Sequence, residues 1–182
     1  MNFIEIYDDA LSVENCDKLI EYFNTNPRGE GVVADHVVDP DQKKSTELHD
    51  TLFSLHTLPF QWIFPTLKEY TDKYVETYAI PLKYMKKWGL DEEFTLKKFE
   101  GEEEGYKVWH TEHSIRYPNR ILVWMFYLND AHSGTEFFHH PNIESKKGRL
   151  VIWPAGWTHY HKGVIPNKGI KYIMSGWYSF IR

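Results

Sequence analysis

The first part of the chain carries two stretches whose apolar residues recur at helical spacing. In SVENCDKLIEYFNT, Leu19, Ile20 and Phe23 share one helical face, and Ser12 is a candidate N-cap. A second helical region is predicted within LPFQWIFPTLKEYTDKYVETYAI, where Pro65 begins or breaks a helix. The polar stretch PRGEGVVADHVVDPDQKKSTE between them predicts a long loop or short edge strands.

From about residue 94 the pattern changes to short β-rich runs separated by turn formers. Seven such runs follow one another: EFTLKKFEG, YKVWHTEHS, RILVWMFYLND, GTEFFHH, GRLVIWPA, THYHKGVI and KYIMSGWYSFI. The third run is apolar on both faces, so we expect it to lie centrally in a sheet. Helices followed by this many strands predict an α+β, mainly β fold, built as a sandwich or barrel.

Length and composition indicate one globular domain. The 182 residues, 42% apolar and 26% charged, predict a single domain over 1–182, with a helical support region at 1–95 and a β core at 96–182. The net charge of −5 argues against a nucleic-acid partner. A single Cys16 is typical of a reducing compartment. No signal peptide or membrane span is predicted, which favours the cytoplasm.

The run YKVWHTEHS contains His110 and Glu112, two metal-binding side chains at i and i+2. On a β-strand these positions face the same side, which suits a chelate. With ten His and 26 acidic residues, more than one such pair is expected by chance. A third ligand is therefore required, and the distal run offers His159 and His161, which we also expect on one strand face.

Further elements follow these residues in a fixed order. They are His110-Thr111-Glu112, an Arg120-led strand ending in Tyr127-Leu128-Asn129, SGTEFF, the Lys147-Gly148 turn before RLVIWP, His161-Lys162-Gly163, Pro166, and Lys171 ten residues after His161. In this order they resemble the prolyl 4-hydroxylase-type 2-oxoglutarate (2OG) and iron(II)-dependent dioxygenases. The resemblance runs from about residue 98 to the end, and ALSVENCDKLIEYF also resembles the opening helix of that superfamily. The match is to the small single-domain versions of bacteria and phages.

The resemblance implies a fold, a chemistry and a site. The fold would be a double-stranded β-helix, a jelly-roll or cupin-like barrel, with N-terminal helices packed on one sheet. The enzyme would use Fe(II), 2OG and O2, with ascorbate as an accessory reductant, and would release succinate and CO2 while hydroxylating a prolyl residue of a peptide or protein. His110, Glu112 and His161 would bind iron, and Lys171 with Tyr127 would bind the far carboxylate of 2OG. A phage-encoded version would act in the host cytoplasm.

The chain departs from the family pattern at two points. Glu112 stands where the family usually has Asp, which moves the carboxylate outward by one methylene. SGTEFF has one Gly where two are common. His159 remains an alternative ligand to His161, although the spacing to Lys171 and the following Gly163 favour His161.

Other interpretations stay open. The same chemistry could act on a free amino acid or another small molecule, or the barrel could be a non-catalytic metal-holding module or a zinc hydrolase. Tyr127 could be a core residue, and Arg120 a structural or rim cation or a partner for a substrate carboxylate. We expect Trp109, Trp153 and Trp177 in the core. The loops at 27–50 and 80–95 are the expected lids, and the oligomeric state is open.

Overall fold

The computed structural model describes residues 1–33, 37–79, 84–85 and 87–181. Within them lie two α-helices, α1 (Val13–Thr25) and α2 (Ile63–Thr77). Two 3-10 turns cover Leu52–His56 and Trp157–His159. The thirteen strands are β1 Glu5–Tyr7, β2 Gly29–Glu30, β3 Lys43–Lys44, β4 Thr46–Asp50, β5 Trp88–Leu90, β6 Phe94–Glu100, β7 Gly105–Tyr106, β8 Arg120–Tyr127, β9 Gly134–Phe137, β10 Ile143–Glu144, β11 Leu150–Pro154, β12 His161–Val164 and β13 Ile170–Phe180.

Both predicted helices are present. Ser12 caps α1, since its Oγ accepts the N–H of Asn15 at 3.2 Å. Pro65 lies in the first turn of α2, where the N–H groups have no helical acceptor, so it does not break the helix. Neither helix in the described residues is long and apolar enough to cross a bilayer.

The strands form one large and two small antiparallel sheets. The large sheet has eight strands in the order β1-β11-β8-β13-β6-β4-β2, with β5 paired to β13. The small sheets are β10-β9-β12 and β3-β7. Strand β8 lies between β11 and β13, as its two apolar faces predicted. The predicted fold class, a double-stranded β-helix with helices on one sheet, is confirmed.

Alternation along the large sheet separates two cores. On β8, Trp124 and Phe126 pack toward the helices, whereas Val123, Met125 and Tyr127 point into the barrel interior. Strand β13 alternates in the same way, and its interior residues are Lys171, Ile173, Ser175 and Trp177. The barrel interior is therefore partly apolar and partly polar, and the polar part faces a cavity.

A β-bulge changes this alternation at one point. Tyr178 pairs with Leu122 but Ser179 pairs with Arg120, so β8 advances by two residues where β13 advances by one. A bulge re-aims the side chains that follow it. Arg120 consequently faces the cavity, although Leu122 and Trp124 face the helices.

Two predictions of strand structure are wrong. The run YKVWHTEHS is not a strand beyond β7. His110 makes only an isolated bridge to His161, and two residues further on the N–H of Glu112 bonds to Ala155 O at 3.2 Å, outside any ladder. His159 ends a 3-10 turn that precedes β12, so it does not share a strand face with His161. In addition, the first 95 residues supply four strands of the large sheet (β1, β2, β4 and β5) as well as helices.

Candidate metal centre and its cavity

His110, Glu112 and His161 converge inside the barrel. One ligand atom from each lies within 4.8 Å of the others. Glu112 Oε1 is 3.7 Å from His110 Nε2 and 3.4 Å from His161 Nε2. Two imidazoles and one carboxylate on one face, with open positions opposite, are the donor set of non-haem Fe(II) oxygenases. The residues present therefore fit an iron ion.

The backbone holds the two imidazoles together. The N–H of His110 donates to His161 O, and the N–H of His161 donates to His110 O, both at 3.0 Å. The isolated bridge thus replaces the regular strand that the His-x-Glu spacing had predicted. Two residues 51 positions apart in the chain are brought into direct register by these two hydrogen bonds.

Carbonyl groups orient both rings. His110 Nδ1 lies 3.1 Å from Val108 O, and His161 Nδ1 lies 2.9 Å from His159 O. A carbonyl can only accept, so each Nδ1 carries the proton and each Nε2 presents its lone pair to the metal position. Tyr106 also stacks on His110 with ring centroids 3.6 Å apart. Burial lowers the pKa of His110, which favours the neutral ligand form.

The Glu112 carboxylate is held by its second oxygen. Oε2 accepts from Trp177 Nε1 at 2.9 Å and from Arg120 Nη1 at 3.3 Å, which leaves Oε1 toward the imidazoles. Burial alone would raise the pKa of Glu112, but its contacts with His110 and His161 outweigh burial and hold the pKa well below its usual range. The longer side chain is thus accommodated by two donors that fix its position.

Arg120 is a structural cation rather than a rim cation. It is 7% exposed, and its guanidinium lies between the rings of Trp177 and Tyr117, at 3.6 and 3.8 Å from their centroids. Glu92 accepts from Nη2 at 2.5 Å and from Nε at 2.9 Å, while Glu112 accepts from Nη1. Two carboxylates and two aromatic faces therefore surround this charge.

Lys171 is the opposite case. It is 2% exposed, and its Nζ donates to Gly134 O at 3.2 Å and Val164 O at 3.0 Å. No carboxylate among the described residues lies within ion-pair distance of it. Burial lowers the pKa of Lys171 to about 7. A buried ammonium with only carbonyl partners is a position where an anion is stabilised strongly.

Tyr127 lies at the same end of the cavity. Its hydroxyl is 2.7 Å from Thr135 Oγ1, and burial raises its pKa. Tyr127, Thr135 and Lys171 line one cavity of about 420 Å³ together with the three candidate ligands. Tyr127 is therefore both a core residue and a cavity residue.

His159 does not reach the metal position. Its Nε2 donates to Asn2 O at 2.9 Å, and its ring stacks on His140 with centroids 4.9 Å apart. The structure brings His161, and not His159, beside His110 and Glu112.

Several cavity residues were missed or misjudged from the sequence. Trp177 was expected in the core but donates to Glu112, and Glu92 had no signal in the sequence. The expected lid segments do contribute lining residues: Val32, Val33, Lys43, Glu47 and His49 from 27–50, and Glu92, Glu93 and Thr95 from 80–95. Residues 34–36, 80–83 and 86, which belong to the same prediction, lie outside the described part of the chain.

The model of the 2OG-Fe(II) oxygenase superfamily matches residues 95–179, which include all three candidate ligands and Lys171. The chain carries a 2OG-Fe(II) oxygenase domain. Among curated proteins, none matches the chain in sequence.

Solved structures similar to this oxygenase include three prolyl hydroxylases. A viral collagen prolyl hydroxylase from Paramecium bursaria Chlorella virus-1, in its 2OG complex, is 17% identical with a TM-score of 0.72, over 99% of this chain and 97% of its own. A Trichoplax adhaerens prolyl hydroxylase in complex with a hypoxia inducible factor oxygen degradation domain peptide fragment is 14% identical with a TM-score of 0.76, over 99% and 84%. A Pseudomonas putida prolyl-4-hydroxylase is 13% identical with a TM-score of 0.73, over 98% and 94%. At these identities the similarity concerns the fold.

The predicted class is confirmed: the protein is a 2OG- and Fe(II)-dependent dioxygenase that uses O2. Ascorbate as an accessory reductant stays a prediction. So do the single-domain assignment, the cytoplasmic compartment and the absence of a nucleic-acid partner, and the oligomeric state stays open.

Proposed function

We propose that this oxygenase hydroxylates a prolyl residue of a peptide or protein. In this proposal His110, Glu112 and His161 bind Fe(II), and Lys171 with Tyr127 binds the far carboxylate of 2OG. To the confirmed enzyme class the proposal adds a substrate and the roles of individual residues.

Lys171 is the observation that carries the residue assignment. A metal-holding barrel without a keto acid has no use for a buried ammonium that lacks a counter-charge, since such a group is costly to bury. A dicarboxylate that reaches from the metal position to Lys171 compensates that charge. Tyr127 and Thr135 supply hydroxyl groups at the same end of the cavity.

The chain's own residues have distinct tasks in this chemistry. Fe(II) with 2OG and O2 supplies the oxidising power, and 2OG leaves as succinate and CO2. Trp177 and Arg120 hold Glu112 in place, and the carbonyls of Val108 and His159 hold the two imidazoles. The side chains of the three candidate ligands are only 7 to 16% exposed, so little bulk water reaches the reacting centre.

A prolyl substrate is supported by the similarity to three prolyl hydroxylase structures, one of which carries a peptide. The acidic net charge of −5 also disfavours a nucleic-acid substrate. The alternative substrate, a free amino acid or another small molecule, shares every residue assignment above.

An anaerobic titration tests the residue assignment first. Fe(II) and then 2OG are added to the apo-protein, and the visible metal-to-ligand charge-transfer band is followed. We expect the band in the wild type and in His159→Ala, and its loss in His161→Ala and His110→Ala. A band that survives in His161→Ala and is lost in His159→Ala contradicts the ligand assignment. Iron binding without any band indicates a metal-holding module or a hydrolase.

The substrate is tested separately. Proline-containing peptides are incubated with the enzyme, Fe(II), 2OG and O2, and the products are read by mass spectrometry. The gain of one oxygen atom on a prolyl residue supports the proposal. Oxygen incorporated into a free amino acid and into no peptide overturns the peptide assignment while leaving the cofactor residues intact.

A further inference from the structure

A second group of charged side chains lies in the cavity, away from Lys171. They point inward from β3, β4 and β6, and Ser175 of β13 lies against them. We call this group the β4–β6 wall; it consists of Lys43, Glu47, His49, Lys97 and Ser175. The cofactor assignments above make no use of it.

Strand pairing creates the wall. Glu47 of β4 lies directly opposite Lys97 of β6, and His49 lies opposite Thr95. Directly opposed residues share one face of a sheet. Leu48 and Leu96, between them, pack toward the helices. The wall therefore belongs to the rigid sheet and not to a loop.

The wall is one negative charge short. Lys43 Nζ lies 2.6 Å from Glu47 Oε1, and His49 Nε2 lies 3.4 Å from Glu47 Oε2. Burial would raise the pKa of Glu47, but its contacts with His49, Lys97 and Lys43 hold it at about 2, so Glu47 is ionised. The wall thus holds two ammonium groups and one carboxylate, and that carboxylate is in direct contact with Lys43.

Lys97 is the unpaired cation of the wall. Across the described part of the chain, its Nζ has one hydrogen-bond partner, Ser175 Oγ at 3.0 Å, and no carboxylate within ion-pair distance. Burial, with the nearby charge of Lys43, lowers the pKa of Lys97 to about 8 despite Glu47 and Glu112. An ammonium has three donors, so two remain for a ligand.

Lys97 also lies close to the reacting centre. Its Nζ is 5.9 Å from the ring of Trp177, and Trp177 donates to the candidate ligand Glu112. Phe99, two residues along β6, lies under the Lys171 ammonium at 4.9 Å. Lys97 and Phe99 therefore point to the same face of β6, with Phe99 beside Lys171 and Lys97 in the β4–β6 wall.

We propose that Lys97 binds a carboxylate of the substrate, so that the substrate is an acid whose carboxylate lies close to the carbon that is hydroxylated. This inference rests on the iron and 2OG residue assignments of the proposed function, which peptide and free-acid substrates share, and narrows the substrate class. A free amino or imino acid and the C-terminal residue of a peptide both present such a carboxylate. An amide in the same position leaves the Lys97 charge uncompensated.

Calorimetric titration of matched acid and amide pairs tests the proposal. The probes are proline and the other common amino acids, each as acid and as amide, both free and as the last residue of an N-acetylated tripeptide. They are titrated without oxygen into protein loaded with Fe(II) and 2OG. We expect one acid to bind at least about 10-fold tighter than its amide, the size of a charge-assisted hydrogen bond. The free and tripeptide arms separate the two sources of the carboxylate.

Variants at neighbouring positions of β6 supply the control. We expect the acid preference to disappear in Lys97→Met and to persist in Lys97→Arg. Lys98→Met is the matched control, because Lys98 points to the other face, where it pairs with Glu100 at 2.6 Å. Circular dichroism and an unchanged affinity for 2OG show that Lys97→Met is folded and that its cofactor site is intact.

Three results overturn the inference. They are the absence of an acid preference in every pair, an acid preference that persists in Lys97→Met, and a loss of 2OG affinity in Lys97→Met as large as that in a Lys171 variant. The last result would assign Lys97 to the cosubstrate. The titrations are repeated without 2OG. If 2OG does not bind, that result counts against the proposed function, and the acid and amide affinities of the wild type and Lys97→Met can still be compared.

Discussion

Arg120 and Lys171 are both buried cations in one cavity, yet their surroundings are opposite. Arg120 has Glu92 and Glu112 as partners and two aromatic rings against its faces. Lys171 has two carbonyl oxygens and no carboxylate among the described residues. A cation whose charge is already matched positions other groups, whereas one whose charge is unmatched binds a ligand. The expected effects of altering these two cations, and Tyr127 beside Lys171, test this distinction.

Removal of Arg120, the cation whose charge is matched, should cause the largest loss of stability. Arg120→Met leaves Glu92 and Glu112 without their partner, and we expect a loss of about 3 kcal/mol in the free energy of unfolding of the apo-protein. Arg149→Met is the control, since Arg149 pairs with the more exposed Asp8 at 2.7 Å and should lose less than about 1 kcal/mol. Urea unfolding measures both. Equal losses in the two variants would remove the distinction.

Removal of the unmatched cation should spare stability and impair binding. In Lys171→Met we expect the Kd for 2OG to rise by about 100-fold, because a charge-assisted contact in a buried site is lost. The apo-protein should be as stable as the wild type or more stable, since an uncompensated buried charge is gone. The charge-transfer titration gives the Kd, and thermal unfolding gives the stability. A destabilised variant with normal 2OG affinity contradicts the assignment.

The pH dependence of 2OG binding should report the same group. The pKa of Lys171 is lowered to about 7 in the free protein, and a bound carboxylate raises it, so binding takes up a proton above pH 7. The Kd should rise by about 10-fold per pH unit above 7 and should be flat below it with respect to this group. The slope should vanish in Lys171→Met.

The free energy of unfolding should also depend on pH through Lys171. Between about pH 7 and the unfolded pKa of 10.5, the unfolded chain holds the Lys171 proton and the folded chain does not. The contribution of Lys171 to stability therefore rises with pH across this window and is constant below it.

Tyr127→Phe should have the smallest effect. If Tyr127 donates to the far carboxylate of 2OG, the Kd for 2OG should rise by about 10-fold, the lower end of the range for a hydrogen bond to a charged group. Tyr178→Phe is a matched control, because both hydroxyls lie 2.7 Å from a threonine hydroxyl, and Tyr178 faces the helices. Both variants should lose similar stability, and an equal effect on 2OG affinity would contradict the role of Tyr127.

The fold and the residue types of the site could be predicted because they leave local signals. Ser12 precedes a helical apolar pattern, and the run from Arg120 to Tyr127 is apolar on both faces. His161 opens β12 and Lys171 lies at the start of β13, the next strand along the chain, so the two residues are separated only by a short connection and their spacing can be recognised in the sequence.

The rest of the site depends on pairings between distant segments. Arg120 contacts Glu92, Trp177 and Glu112 only because a β-bulge turns its side chain into the cavity. No sequence signal near Arg120 predicts that bulge. The charged surroundings of Lys97 depend on Glu47, which lies fifty residues earlier in the chain and opposite Lys97 in the sheet. The wrong prediction for His159 has the same origin, since a 3-10 turn interrupts what reads as a strand.

Strand β13 serves two purposes at alternate residues. Tyr172 and Met174 pack against the helices, while Lys171, Ser175 and Trp177 face the cavity. Many substitutions of the helix-facing residues should change stability and spare the cavity, and many substitutions of the cavity-facing residues should do the reverse. A single inserted or deleted residue shifts the frame of the strand, so that the buried ammonium and the core side chains exchange places. This strand should therefore tolerate replacement far better than a change in its length.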